Sequence, residues 1–62
     1  MIDRIGKTLR AARLALGLTQ AEIGAEIGIT RNSVARIERG EIGVSGSTRK
    51  MIELLAARAA ET

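Results

Sequence analysis

The segment from residue 19 to residue 40, TQAEIGAEIGITRNSVARIERG, constrains the fold more than any other part of the chain. Thr19 is followed three residues later by Glu22, which matches a capping box: the hydroxyl accepts from one free backbone amide and the carboxylate accepts from another. Leu18 and Ile23 flank this cap at the spacing of a hydrophobic staple. The pattern predicts that a helix begins at this point.

A second helix start follows within the same segment. Ile29 and Val34 repeat the staple spacing around Thr30, which predicts another N-terminal cap. Gly28 lies between the two helices and can adopt a positive φ without steric cost, so it can end the first helix and turn the chain. Two helices joined by a short turn that contains glycine form a helix-turn-helix. We therefore predict this motif over residues 19–40.

Three of the predicted helices follow from periodicity and caps. Apolar residues recur at helical spacing over about residues 3–16, and Gly17 is the expected end of that helix. The two helices of the motif are expected at about 20–27 and 31–39, the latter ending at Gly40. The core stripe of the first helix is predicted to be Ile2, Ile5, Leu9, Ala12 and Leu16.

A fourth helix is predicted after a glycine-rich link at 41–46. Either Ser45 or Ser47 can cap it, and it is expected to end near Ala60. The chain is thus predicted to be one all-α domain over residues 1–62, a compact bundle of four helices. The core stripe of the fourth helix is predicted to be Thr48, Met51, Ile52, Leu55 and Ala59.

Composition limits what the domain can do. At 62 residues it buries only about 60% of the surface that its unfolded chain exposes, which leaves no room for an enclosed substrate cavity. It contains no histidine or cysteine, so the usual zinc ligands and thiol nucleophiles are absent. The carboxylates are dispersed over predicted helix surfaces. We expect no enzyme activity, no cofactor and no metal.

The charge and hydropathy of the chain bear on partners. The formal net charge of +3 permits nucleic-acid binding without requiring it. No apolar run is as long as a membrane-spanning helix, so a cytoplasmic protein without a membrane partner is expected.

The outward face of the third helix carries the groups that a DNA major groove accepts. Arg31 and Arg36 can each donate two hydrogen bonds to guanine, and Asn32 can pair with adenine. Arg31 and Asn32 lie at the helix N-terminus, the part of a recognition helix that reaches bases. The alternative is an ordinary solvated face. Because the helix follows a glycine turn at this spacing, we favour base reading by these three residues.

Three other residues are candidates for the DNA backbone. Gln20 lies at the first position of the second helix, where its amide and the helix amino end can meet a phosphate; alternatively it only supports the helix start. Thr30 is first a cap, with any phosphate contact secondary. Arg39 can contact phosphate or remain in water, and its position does not separate these two roles.

Arg13 and Glu38 each border the apolar arc of their own helix. This placement predicts a partly buried ion pair that locks the first helix to the end of the third. Gly24 lies in a helix interior, where close packing of the second helix on the third is one explanation and a tolerated imperfection is the other.

These residues resemble the Xre family of phage repressor and Cro-like helix-turn-helix proteins, which is similar to lambda repressor in fold. The matching positions are Arg13, Gly17, Leu18, Gln20, Ala21, Ile23, Gly28, Val34, Ile37, Glu38 and Gly40. The resemblance implies base contacts by Arg31, Asn32 and Arg36, a phosphate contact by Gln20, and an internal ion pair at Arg13 and Glu38. It also implies double-stranded DNA as the partner.

The chain departs from the family pattern in three places. Gly24 stands where alanine is more frequent, and the segment after Gly40 lacks basic residues, so backbone amides near residues 41–43 are expected to meet phosphate. The chain also carries four predicted helices where many members have a fifth that helps dimerisation. Weak binding as a monomer is therefore expected.

Homodimerisation would compensate for weak binding as a monomer, because two modules one helical turn of DNA apart read a palindrome together. Ile42, Val44 and Leu54 are candidates for the dimer interface, and the alternative is that they complete a thin core. Leu14 points away from the first helix's stripe and is a further candidate.

Two functions remain open at this point. The leading prediction is a transcriptional regulator that occupies a palindromic operator as a homodimer and represses by blocking polymerase, with no small-molecule effector evident. The alternative is a protein-interaction module on the same fold, such as an antitoxin whose fourth helix grips a partner.

Overall fold

The computed structural model describes residues 4–61, which form four α-helices and no strand. The helices are α1 (Ile5–Ala15), α2 (Gln20–Ile27), α3 (Arg31–Glu38) and α4 (Gly46–Ala60). The predicted all-α class is confirmed. Ile2, assigned to the first core stripe, lies outside the described residues.

The helix starts follow the predicted caps. At α2 both bonds of the capping box are present: the Glu22 backbone amide donates to Thr19 Oγ1 at 3.0 Å, and the Thr19 amide donates to Glu22 Oε1 at 2.8 Å. At α3 the Ser33 amide donates to Thr30 Oγ1 at 3.1 Å. The cap of α4 is Ser45, whose Oγ accepts from the Thr48 amide at 3.3 Å. These side chains satisfy backbone donors that a helix leaves free at its first turn.

Gly28 makes the turn between α2 and α3 possible. Its φ is +91°, in the left-handed region, and its amide donates to the Gly24 carbonyl at 2.8 Å. Only two residues, Ile29 and Thr30, separate this glycine from the first residue of α3. A side chain with a Cβ would be strained at that φ, so the glycine permits the short connection.

The core takes one fully buried residue from each helix. Leu9, Ile23, Val34 and Ile52 have no exposed surface. The other buried apolar residues are Ile5, Ala12, Ile37 and Leu55.

Met51 was predicted to lie in the core, and that prediction is wrong, because its side chain is 38% exposed. Neighbouring residues on a helix point about 100° apart, so Met51 and Ile52 cannot both face a core this thin. Burial of Ile52 and Leu55, three positions apart, leaves Met51 at the edge.

Gly24 in the interior of α2 and Gly6 in the first turn of α1 lie where α3 or the turn before it approaches closely. A Cβ at Gly24 would stand 2.7 Å from the Ile29 carbonyl oxygen and 3.3 Å from Val34 Cγ2. A Cβ at Gly6 would stand 2.2 Å from the carbonyl oxygen of Ile37. The close-packing explanation of Gly24 is therefore the one that the fold supports. The role of Gly6 was not anticipated, because nothing local in the sequence marks its contact with α3.

Candidate nucleic-acid interface

A charged network ties α1, α2 and α3 together behind the candidate DNA face. Arg13 donates from Nε to Glu38 Oε2 at 2.8 Å and from Nη2 to Oε1 at 3.1 Å, a bidentate pair. The side chains are only 14% and 6% exposed. The hydrogen bond to Glu38 raises the pKa of Arg13 above its usual value, so the guanidinium stays charged. Arg13 Nη1 also donates to the Leu18 carbonyl at 3.3 Å, next to the start of α2.

Gln20 is part of the same network. Its Nε2 donates to Glu38 Oε1 at 3.2 Å, and the residue is half-buried. A side-chain amide has two N–H donors, so one of them is used inside the protein and the other remains for an outside partner. The bond holds the side chain of Gln20 at the junction of α2 and α3. Its phosphate-binding role stays a prediction, now with a defined side-chain position.

The outward face of α3 carries the three predicted base readers. Arg31, Asn32 and Arg36 are exposed, while Ala35 between them is half-buried. Val34 and Ile37 occupy the opposite, buried side. The helix is thus anchored through its apolar side and through Glu38, and its polar side is open to a ligand.

The Thr30 hydroxyl both accepts and donates a hydrogen bond within the protein. The oxygen accepts from the Ser33 amide, and the O–H donates to Ser33 Oγ at 3.0 Å. A phosphate contact by this hydroxyl requires the second of these bonds to be exchanged. Capping is therefore the role that the geometry assigns to Thr30.

An open cleft of about 220 Å³ lies beside α3. It is bordered by residues of three helices and the end of α3: Arg10, Arg13, Gln20, Ala35, Glu38 and Arg39. Because Glu38 is paired with Arg13, and Arg39 with Glu41, the exposed Arg10 leaves the cleft positive. Sequence reasoning missed Arg10; the available signal was its position one helical turn before Arg13.

Glu41 lies beside two arginines of this surface. Arg39 Nε donates to Glu41 Oε2, and Arg36 Nε lies 3.6 Å from Glu41 Oε1. The hydrogen bond from Arg39 lowers the pKa of the Glu41 carboxyl, which is therefore ionised at neutral pH. The same bond raises the pKa of Arg39. Sequence reasoning noted only that this segment lacks basic residues, and it overlooked the acidic one.

The three candidates for a dimer interface differ in their surroundings. Ile42 and Val44 are half-buried and pack against the core cluster, as the alternative interpretation predicted. Leu54 is 59% exposed on α4, with Met51 one turn before it. Leu14 on α1 is 58% exposed. The homodimer itself stays a prediction.

Between residues 4 and 61 the structure contains no group of acidic, histidine or cysteine side chains placed to hold a metal ion. In the same range, no helix combines the length and the apolar character needed to cross a membrane.

Comparison with known protein families supports the helix-turn-helix fold and a function in DNA binding. A family model described as helix-turn-helix matches residues 9–57, which is more than half of the chain and includes the whole of α2 and α3. No curated protein and no solved structure gave a match. The chain therefore belongs to the Xre, lambda-repressor-like family of helix-turn-helix DNA-binding regulators.

Proposed function

We propose that the protein represses transcription by binding a palindromic operator as a homodimer, with α3 of each copy in the major groove. The observation that carries the proposal is the exposed face formed by Arg31, Asn32 and Arg36 on a helix whose other side is buried. A rigidly held helix loses little freedom on binding, so hydrogen bonds to base edges contribute directly to affinity. An occupied operator blocks access of polymerase.

Base reading is assigned to the exposed face of α3. Arg31 and Asn32 occupy its first two positions, the end of a recognition helix that enters the groove. Arg36 lies about one turn and a half further along. Arginine side chains favour guanine and asparagine favours adenine, so a site with both bases is expected.

We assign contacts with the DNA phosphate backbone to the cleft beside α3. Gln20 has one amide hydrogen left for a phosphate, and the helix N-terminus adds a partial positive charge. Arg39 and Arg10 both border the cleft, and we add Arg10 to the phosphate-binding set. A cytoplasmic location follows from a function on bacterial or phage DNA.

The experiment that tests sequence-specific binding is a set of isotherms at several salt concentrations. A duplex chosen from a random pool is compared with a scrambled duplex of equal length. We expect affinity for the chosen duplex to exceed that for the scrambled one by at least about a thousandfold. Equal affinities with the same salt dependence would reject specific readout, because they would mean that phosphate contacts alone hold the DNA.

Arg36→Ala is expected to weaken binding to the chosen duplex by about 1–3 kcal/mol and to change binding to the scrambled duplex much less. The reason is that a bidentate contact to guanine exists only in the specific complex. Gln20→Ala is expected to weaken both duplexes alike. Arg58→Ala, which removes an exposed charge from α4, is the matched control for Arg36→Ala. Equal losses on both duplexes for Arg36→Ala would contradict a base-reading role.

The dimer is assigned to α4. Leu54 is 59% exposed and Met51 lies one turn before it, which leaves an apolar edge open. Leu54→Ser is expected to raise the dissociation constant of the dimer by at least about tenfold, since each dimer loses two buried leucines. Sedimentation equilibrium measures this change, with Ala60→Ser as the control for a new hydroxyl at an exposed position of α4 away from this edge. An unchanged dissociation constant would remove Leu54 from the interface.

The second candidate, an interaction module such as an antitoxin, is favoured by the same apolar residues of α4. Its distinguishing result is recovery of a stoichiometric protein partner that requires Leu54, together with no retardation of DNA. Retardation of a chosen duplex without such a partner would favour the regulator.

A further inference from the structure

Glu41 occupies a defined position at the end of α3, although its side chain is exposed. Gly40 follows the helix with φ +77°, and its amide donates to the Ile37 carbonyl at 3.0 Å. The Glu41 amide then donates to the Arg36 carbonyl at 2.9 Å. These two bonds fold the chain back on the last turn of α3. The carboxylate is thereby held beside Arg36 and Arg39 by the backbone.

The carboxylate engages both arginines at once. Oε2 accepts a hydrogen bond from Arg39, and Oε1 lies 3.6 Å from Arg36 Nε. The side chains of Arg36, Arg39 and Glu41 are 53%, 59% and 46% exposed. Ion pairs at this exposure contribute little to folding. Each ion pair nevertheless engages a guanidinium that lies on the candidate DNA surface.

We propose that Glu41 competes with DNA for Arg36 and Arg39 and thereby lowers the affinity of this surface for duplex DNA of any sequence. The proposal rests on the proposed function, because it takes these arginines to contact DNA. A guanidinium that binds phosphate or guanine must first leave the carboxylate. The displaced carboxylate then faces the negative charge of the DNA, which opposes binding further.

The competition predicts how the effect divides between duplexes. In the specific complex Arg36 must leave Glu41 to reach guanine. Removal of the carboxylate therefore increases the affinity by the full free energy of the Arg36–Glu41 ion pair. In a scrambled complex Arg36 can stay with Glu41 when phosphate attracts it less. The gain on the chosen duplex is therefore at least as large as the gain on the scrambled one. Glu41 therefore lowers the affinity for both duplexes and, where the two gains differ, also lowers the preference for the chosen one.

The test is Glu41→Gln, which keeps the shape of the side chain and removes its charge. Binding to both duplexes is measured by fluorescence anisotropy between about 50 and 200 mM salt, a range in which phosphate contacts change affinity strongly. Glu53→Gln makes the same charge change at an exposed position of α4 and is the matched control. We expect Glu41→Gln to tighten binding to both duplexes by at least about threefold over that control, with a steeper salt dependence.

A second pair of variants separates competition from simple loss of a negative charge near DNA. In a chain with both Arg36→Ala and Arg39→Ala, the Glu41 carboxylate loses both of its ion-pair partners. The gain from Glu41→Gln should then shrink to the part that arises from repulsion between this carboxylate and the DNA. A gain of unchanged size would overturn the competition, because it would arise from general repulsion alone.

Two other results would also overturn the proposal. If Glu41→Gln and Glu53→Gln change the affinity for DNA equally, the ion pairs of Glu41 with Arg36 and Arg39 do not oppose DNA binding. Weaker binding to the chosen duplex would mean that Glu41 positions Arg36 for reading. Failure of the parent protein to prefer the chosen duplex would instead reject the sequence-specific function. The comparison on the scrambled duplex would still decide whether Glu41 competes.

Discussion

Arg13→Met is expected to destabilise the domain by about 2–4 kcal/mol, because it leaves the Glu38 carboxylate without its guanidinium partner. That carboxylate is only 6% exposed, and within residues 4–61 the side-chain donor that remains to it is Gln20. Water cannot fully replace the two lost hydrogen bonds at this burial. In a domain of this size the melting temperature should fall by at least about 8 °C.

Two variants make this expectation specific. Arg10→Met makes the same chemical change at an exposed position one turn earlier, and its effect should stay within about 0.5 kcal/mol. Arg13→Met combined with Glu38→Leu should recover much of the lost stability, since an apolar pair can replace a buried ion pair. Urea denaturation followed by circular dichroism measures all three. An unchanged melting temperature for Arg13→Met would contradict a stabilising pair.

Gly6→Ala is expected to destabilise the domain by about 1–3 kcal/mol, even though alanine is the better helix former. The added Cβ would lie 2.2 Å from the Ile37 carbonyl oxygen, so α1 and α3 would have to move apart. Backbone cannot rotate away as a flexible side chain does. A shift at Ile37 would also reach the neighbouring Glu38 and its bond to Arg13.

The matched control for this change is Gly43→Ala. Nothing lies within 4 Å of a Cβ at Gly43, and its φ is not positive, so this substitution should be neutral or stabilise by about 0.4–1 kcal/mol. The midpoint of urea denaturation at constant slope compares the two variants. A Gly6→Ala variant as stable as the parent protein would show that α1 and α3 can accommodate a Cβ at this contact.

The secondary structure was predictable because its signals act over a few residues. The Thr19 and Glu22 side chains bond to each other's backbone amides across a single turn. At the start of α3, Thr30 Oγ1 accepts from the Ser33 amide in the same way as Thr19 Oγ1 accepts from Glu22. Such bonds depend on local geometry alone, so they can be recognised before the tertiary fold is known.

The candidate site was predictable only in part. The outward face of α3 follows from helical periodicity, which also placed Arg13 and Glu38 at the border of their apolar arcs. Helical spacing relates Arg10 to Arg13, but it does not by itself place Arg10 or Glu41 beside this surface. Arg10 reaches the cleft because α1 packs against α3, and Glu41 reaches Arg36 because the chain reverses at Gly40.

The sequence by itself determined where the helices begin, where the chain turns and which side of α3 is polar, since caps, glycines and apolar spacing act within a few residues. The tertiary structure decided how those elements meet: the backbone approach at Gly6, the exposure of Met51, the bond from Gln20 to Glu38 and the engagement of two arginines by Glu41. These depend on distances between residues on different elements, and those distances exist only once the helices have packed.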